Sequence, residues 1–548
     1  MVLNLVLRSG CVVDGAGNPW FRADVGIKNG KVVKVGHLDP RIADRVIEVD
    51  GLMVSPGFIN IHSHSEGTLL INPKAESVVR QGITTEVTGN CGFSLAPICD
   101  GTKDLLLDNT PFPMPRLDIN WRSFSEYLER LKKRGVAVNV ASLVGHGAVR
   151  IAVMGLDNRT PTPRELNAMK GLVAEAMKAG GFGLSSGLAY PPGFYAGTQE
   201  LIELCKVVSR YHGFYASHIR GEGANGFIQG VVEAVEIGEK AHVPVQVSHI
   251  ETHYPAWGRG GEALRLVDEA RMRGVDVTCD VPPYILGYTA LYTLLPDWVH
   301  EGGAVKLLER LRGIETREKI EEDVREQPPR TSTQALVKDG HWDRIVVSTF
   351  EAKPGLEGMS LAEVAQLMGK DPFNAVFDML SEGPPFPNVM AWIHHEEDIR
   401  KVMRHSTSMV ETDLYALAPY GCLAEKRSHP RGYGTFPMVF RKYVRGETLE
   451  DMPLEVGDKI LTLEEAVRKM TSLPAQRLGL RDRGLIREGM WADVTVFNPK
   501  TVKDRATYEK PNLYPEGVEY VLVNGQVVVE EGENTGLLPG TVLRRSSP

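Results

Sequence analysis

The feature that most limits how this chain can fold is a repeated alternation, from about residue 52 to 480, of short apolar runs with stretches of 3.6-residue periodicity. Strand-like runs fall at 54–61, 84–88, 136–144, 183–186, 214–217, 243–248, 275–279 and 408–411. Helical periodicity fills the spaces between them, as at 121–134, 163–179, 199–211, 226–241 and 261–273. Such repetition favours parallel strands, because each helix returns the chain to the same end of a sheet. Eight units of this kind predict an α/β fold, a (β/α)8 TIM-like barrel more than an open sheet.

The two ends of the chain have another texture. Short β-rich runs with polar turns occupy residues 3–35, with Asn29-Gly30 as a hairpin signal, and return at 492–497 and 518–529, turning at Asn524-Gly525. The expectation is a small β-sandwich domain made from residues 1–51 and 481–548, with a catalytic barrel over residues 52–480 inserted between its halves. Segment 282–405 is too long for a single connection. It holds helical stretches at 303–311, 316–327 and 361–368 and a Pro-rich turn at 382–387, and is expected to form an inserted, α-rich subdomain between strands 7 and 8, placed as a lid.

Composition removes several function classes. A chain of 548 residues with 42% hydrophobic content can bury a large core, and a net charge of −8 offers no basic surface for nucleic acid. No apolar run approaches the length of about 18 residues that a membrane span needs. The opening MVLNLVLRSG has neither the charged start nor the cleavage-like end of a signal peptide, so the expected location is cytoplasmic. Six scattered cysteines, Cys11, Cys91, Cys99, Cys205, Cys279 and Cys422, form no CxxC pair and no disulfide framework.

In a β/α barrel the chemistry sits at the carboxyl ends of the strands, and here those ends are rich in metal-binding side chains. The run from 56 to 64 closes on His62-Ser63-His64, whose i, i+2 spacing puts both imidazoles on one face of a strand. Alone, the pair also fits two hydrogen-bonded loop histidines. Strand 2 runs into Thr88-Gly89-Asn90-Cys91-Gly92, strand 5 into Ser217-His218, strand 6 into Ser248-His249 and strand 8 into Thr412-Asp413. His218 and His249 are one βαβ unit apart, which predicts adjacent strands. So many ligand-bearing ends point to a metal centre, and zinc suits a thiolate and imidazole set best.

The HxH strand, the split β-domain and the late Asp413 resemble the amidohydrolase superfamily. More narrowly, residues 89–97 (GNCGFSLAP), 217–220 (SHIR), 429–437 (HPRGYGTFP) and 523–525 (VNG) resemble the D-aminoacylases, the N-acyl-D-amino-acid deacylases, over nearly the whole chain. The resemblance implies a tightly held zinc on Cys91, His218 and His249, with His62 and His64 facing a second, weaker metal position. It implies Asp413 as the proton shuttle, where Asp413 read by itself also fits a strand-end cap. His146 and Arg220 are placed behind the ligands.

For the substrate, an N-acyl amino acid, the matching family position for holding a carboxylate is Arg431, aided by Tyr190; both also fit structural roles. Where the family carries a lysine in a Ser-His-His-Lys pattern, this chain has Ser248-His249-Ile250-Glu251. An anion there disfavours acidic substrates and favours a neutral or basic side chain, unless Glu251 turns away to pair with Arg220 or Arg259. The implied activity is zinc-dependent deacylation of N-acyl-D-amino acids. Two alternatives are a cyclic-amide hydrolase of hydantoinase or dihydroorotase type, disfavoured because strand 4 (Phe182-Gly183-Leu184-Ser185-Ser186-Gly187) has no lysine, and a non-catalytic scaffold.

Overall fold

The computed structural model describes residues 2–110, 117–223, 226–424 and 427–545. Among these residues both chain ends enter one nine-stranded sheet, in the order Glu533–Asn534, Gln526–Glu530, Val518–Val523, Val494–Phe497, Met53–Pro56, Leu3–Val12, Phe21–Lys28 and Lys31–Gly36. Ala43–Glu48 pairs in parallel with the first part of Leu3–Val12, and Met53–Pro56 takes the last two residues. Period-two alternation divides the side chains between two cores. Val54, Val494 and Val496 pack with Leu5, Leu7, Val25 and Ile27, whereas Met53 and Phe497 turn to the main core.

Residues 54–61, expected as one strand, divide at Gly57. Met53–Pro56 pairs with Val494–Phe497, and Phe58–Asn60 pairs with Ile83–Thr88 in a different sheet. The Gly57 N–H donates to Asp493 O at 2.8 Å, and a Cβ at Gly57 would stand 2.2 Å from Thr84 Oγ1. Both halves of the run are buried, so apolar patterning does not register the change of sheet.

Phe58–Asn60, Ile83–Thr88 and Asn139–Ser142 make one parallel sheet. Val144–Gly145, Gly183–Gly187, Phe214–His218, Val245–Val247, Val277–Val281 and Ser408–Val410 make another, in chain order. The sheets meet at two junctions. At one, Leu143 N–H donates to Thr88 O at 2.8 Å and Phe182 N–H to Ser142 O at 2.9 Å. At the other, Asp413 N–H donates to His62 O at 3.1 Å and His64 N–H to Leu414 O at 3.0 Å. The end of the chain lies along the first junction: Val140 N–H donates to Thr541 O and Arg545 N–H to Gly180 O, at 2.9 and 3.0 Å.

Helices between the parallel strands begin where the sequence supplies caps. Ser123 with Glu126, and Thr162 with Glu165, form reciprocal capping boxes that open Phe124–Arg134 and Pro163–Lys178, the second with Pro163 in its first turn. Tyr127, Leu128 and Leu131 fall on one stripe of the first helix and are buried against the main core. No helix among the described residues is long and apolar enough to cross a membrane.

Segment 282–405 carries the expected helices, observed at Gly303–Arg312, Ile314–Glu326 and Leu361–Met368, over a separate core that includes Leu311, Ile320, Leu336 and Phe377. It also carries an antiparallel three-stranded sheet, Leu286–Ala290, Asn388–Trp392 and Ile345–Thr349, that the sequence reading did not contain. These strands are short, and partners far apart in sequence complete them.

Candidate metal centre

Four strand ends deliver Cys91, His62, His218 and His249 to one point. Cys91 Sγ lies 3.2 Å from His62 Nε2, 3.5 Å from His218 Nδ1 and 3.8 Å from His249 Nε2. His64 Nε2 and His62 Nε2 lie 3.0 and 3.3 Å from Asp413 Oδ1. Two ligand groups share the thiol: Cys91 with His218 and His249, and Cys91 with His62, His64 and Asp413. A buried network ties the HxH strand to the Asp413 strand. Asn60 Nδ2 donates to Glu86 Oε1 and Thr412 Oγ1, each at 2.8 Å, and Asn60 Oδ1 accepts from Thr412 N–H at 3.0 Å.

Three of these residues, Cys91, His249 and Asp413, hold left-handed backbone conformations, with φ of +50°, +34° and +42°. Such conformations cost of order 1–3 kcal/mol each in non-glycine residues and persist only where surrounding contacts enforce them. Asp280 Oδ1 accepts from His249 N–H at 2.5 Å, and Ser185 Oγ accepts from Gly92 N–H at 3.0 Å while donating to Gly89 O. Gly89 itself stands at φ +85°, where an added Cβ would meet Leu143 O at 2.0 Å. Gly89→Ala is therefore expected to destabilise the Cys91 turn by about 2–3 kcal/mol or more. Thermal unfolding and zinc retention after dialysis check this; a melting temperature equal to that of the parent would show that the turn accommodates a side chain.

The electrostatics follow from burial and from opposed charges. Burial alone disfavours the Cys91 thiolate, but the charge of His62 and hydrogen bonding with His218 and His249 outweigh it and hold the thiol well below its ordinary range. Burial likewise opposes the Asp413 carboxylate, but Arg431, His62 and His64 keep it ionised well below the usual carboxylate range. Arg431 Nη2 sits 2.9 Å from Asp413 Oδ2.

The other expected residues divide into two groups. Tyr190, Glu251 and Arg431 line the same pocket as His218, His249 and Asp413. The Tyr190 ring lies 4.9 Å from that of His218, and its hydroxyl is 3.3 Å from Thr289 Oγ1. Glu251 is buried, and burial together with Asp280 and Asp413 pushes its carboxyl well above the ordinary value. Glu251 pairs with neither Arg220 nor Arg259: Arg220 binds Glu233 at 2.9 Å and Arg259 binds Glu262 at 2.8 Å. Outside the pocket lining, Arg220 also donates to Phe194 O and Ala196 O. His146 opens the helix His146–Met154, with Nε2 2.8 Å from Glu200 Oε1.

Five acidic or imidazole groups at the site escaped the sequence reading. Glu222 Oε1 lies 3.0 Å from His218 Nε2, and Asp280 Oδ1 lies 3.7 Å from His62 Nδ1, with Glu411 grouped beside them. Asp280 and Glu411 had a usable signal, since each lies at or just beyond the carboxyl end of a parallel strand. His253 and His394 join Glu251 on the pocket wall, and nothing local in the sequence brings those two histidines together.

A description of the amidohydrolase family matches residues 45–274 and 438–529. This chain belongs to the amidohydrolase family. It is 34% identical over 549 residues to D-aminoacylase of Alcaligenes xylosoxydans xylosoxydans, covering 99% of this chain and 98% of that protein. It is also 34% identical to N-acyl-D-glutamate deacylase of the same organism, covering 100% and 97%. The crystal structure of N-acyl-D-glutamate deacylase from Bordetella bronchiseptica, complexed with zinc and a phosphonate inhibitor that mimics the tetrahedral intermediate, is similar with a TM-score of 0.78 at 31% identity, covering 99% of this amidohydrolase and 100% of that chain. This similarity spans the ligand-bearing strand ends, the inserted segment and both ends of the chain.

Proposed function

We propose that this amidohydrolase removes the acyl group from N-acyl-D-amino acids in a zinc-dependent reaction, yielding a carboxylate and a free D-amino acid. The observation that carries the reading is the convergence of Cys91, four histidines and Asp413, with Asp413 Oδ1 3.0 and 3.3 Å from His64 and His62. The names of the full-length relatives support the substrate class.

The donor set suits zinc: a thiol whose surroundings favour the thiolate, with imidazoles within 3.8 Å. Cys91, His218 and His249 would hold the tighter ion, and His62 and His64, sharing Cys91, would face a second, weaker one. Bound zinc supplies a polarised amide carbonyl and a water acidic enough to lose a proton near neutral pH. Asp413 takes that proton as general base and returns it to the departing amine as general acid. Its pairing with Arg431 orients the carboxylate. Arg431 and Tyr190 line the wall where the substrate carboxylate would lie, and the Glu251 side lacks the lysine that would attract an acidic group, which favours neutral or basic substrate side chains over acidic ones.

The backbone bonds at both sheet junctions support closure of the parallel strands into a (β/α)8 barrel, spread at one junction by the chain end. Residues 1–51 and 481–548, with Met53–Pro56 added to their sheet, would then form the end domain, the rest of 52–480 the barrel, and 282–405 a lid that contributes Tyr288, Thr333 and His394 to the pocket. Strand Gly183–Gly187 uses Ser185 to hold the Cys91 turn and has no lysine, which weighs against the cyclic-amide reading.

Steady-state rates on matched N-acetyl-D- and N-acetyl-L-amino acids test the substrate. Preference for the D series by at least about tenfold, or about 1.4 kcal/mol in the transition state, is expected. Equal kcat/KM on both enantiomers would remove the reading.

A further inference from the structure

We propose that Glu251, His253 and His394 form a further divalent-cation site, of the class zinc occupies, on the pocket wall and separate from the Cys91 centre. Each residue offers one ligand atom, and these atoms lie within 4.8 Å of one another. His394 Nε2 is 3.7 Å from Glu251 Oε1, and the two imidazole rings stand edge to face at 4.6 Å. All three side chains are buried, with residue exposures of 1, 5 and 4%.

What marks the cluster as a binding site is its unused polar atoms. Neither oxygen of Glu251 has a hydrogen-bond partner, and the nitrogen of His394 that faces it is Nε2. Burial keeps the Glu251 carboxyl protonated unless a cation takes the place of the proton, and two imidazoles beside one carboxylate make a known donor set for zinc. Glu222, the other nearby carboxylate, lies 3.0 Å from His218 Nε2 and 3.8 Å from His253 Nδ1, so its charge acts on both rings.

The backbone holds the two segments in register. Tyr254 N–H donates to Ile393 O at 2.7 Å, His394 N–H donates to Ile285 O at 3.1 Å, and His253 and His394 form an isolated antiparallel bridge. The cluster neighbours the first centre without sharing a ligand: the His249 and His253 rings are 6.1 Å apart. All three residues line the pocket cavity, so three protein ligands leave a coordination position on the cavity side. With an ion there, the wall attracts an anionic substrate group, and the side-chain preference proposed above applies to enzyme loaded at Cys91 alone.

The test uses the full chain, stripped with chelator and dialysed against zinc, with bound zinc counted by elemental analysis. Glu251→Gln and His394→Ala are each expected to bind one zinc fewer than the parent, whereas Cys91→Ala loses zinc from the other centre and keeps this one. Crystals of the parent grown with zinc should show anomalous scattering about 2.0–2.2 Å from Glu251, His253 and His394. Glu251→Gln is nearly isosteric, and the anomalous map needs no variant, so a folding failure of His394→Ala does not protect the proposal. Unchanged zinc content in Glu251→Gln, or a map with zinc at Cys91 and none at this cluster, would overturn it whether or not the deacylase reading stands.

Discussion

Asp413→Asn is expected to lower kcat by about 10²–10⁴-fold, the usual contribution of a positioned acid–base group. Asparagine has nearly the same shape and tolerates the left-handed backbone that Asp413 adopts at φ +42°, so the change removes a proton acceptor more than a fold element. It also leaves the Arg431 guanidinium and the His62 and His64 imidazoles without the carboxylate they surround at 2.9 to 3.3 Å. Two readouts separate catalysis from site assembly. Zinc content at the Cys91 centre should stay at the parent level while turnover at saturating substrate collapses. A variant that keeps its full kcat would show that the proton is carried elsewhere, with Glu411 and Asp280 as the nearest other carboxylates grouped with His62.

Cys91→Ala is expected to lose the tightly held zinc and, with it, about 10³-fold or more in kcat/KM. Metal polarisation contributes several kcal/mol to such reactions, and each 1.36 kcal/mol is a factor of ten. The thiol is the one ligand common to both groups at the centre, so its removal weakens both. Cys205→Ala is the matched control. That cysteine is equally buried, but burial without any cationic neighbour pushes its thiol up rather than down, and it lies in the helix Thr198–Arg210, away from the pocket. Zinc retained by Cys91→Ala after chelation, or lost by Cys205→Ala, would sink the assignment.

The ligands themselves were legible because each sits at or just beyond the end of a short apolar run, where the pattern of strand and turn residues is local. His62, Cys91, His218, His249 and Asp413 come together as strand ends of parallel sheets should. Less was legible wherever burial hid a change of partner. Gly57 moves the chain from one sheet to another without altering the apolar pattern. Glu251 read as an anion beside the substrate carboxylate, yet its oxygens are buried near His394 and have no hydrogen bond.

The sequence by itself determined the alternation of strands and helices, the caps that start the helices, and the residue types at each strand end, because all of these depend on neighbours a few positions away. Only the tertiary structure decided how the ends were used. It set Cys91, His249 and Asp413 in left-handed turns, moved the chain from one sheet to another at Gly57, and brought His394 from the inserted segment against His253. Those outcomes depend on backbone hydrogen bonds and packing between residues remote in sequence, and no local pattern records a partner that lies more than a hundred positions away.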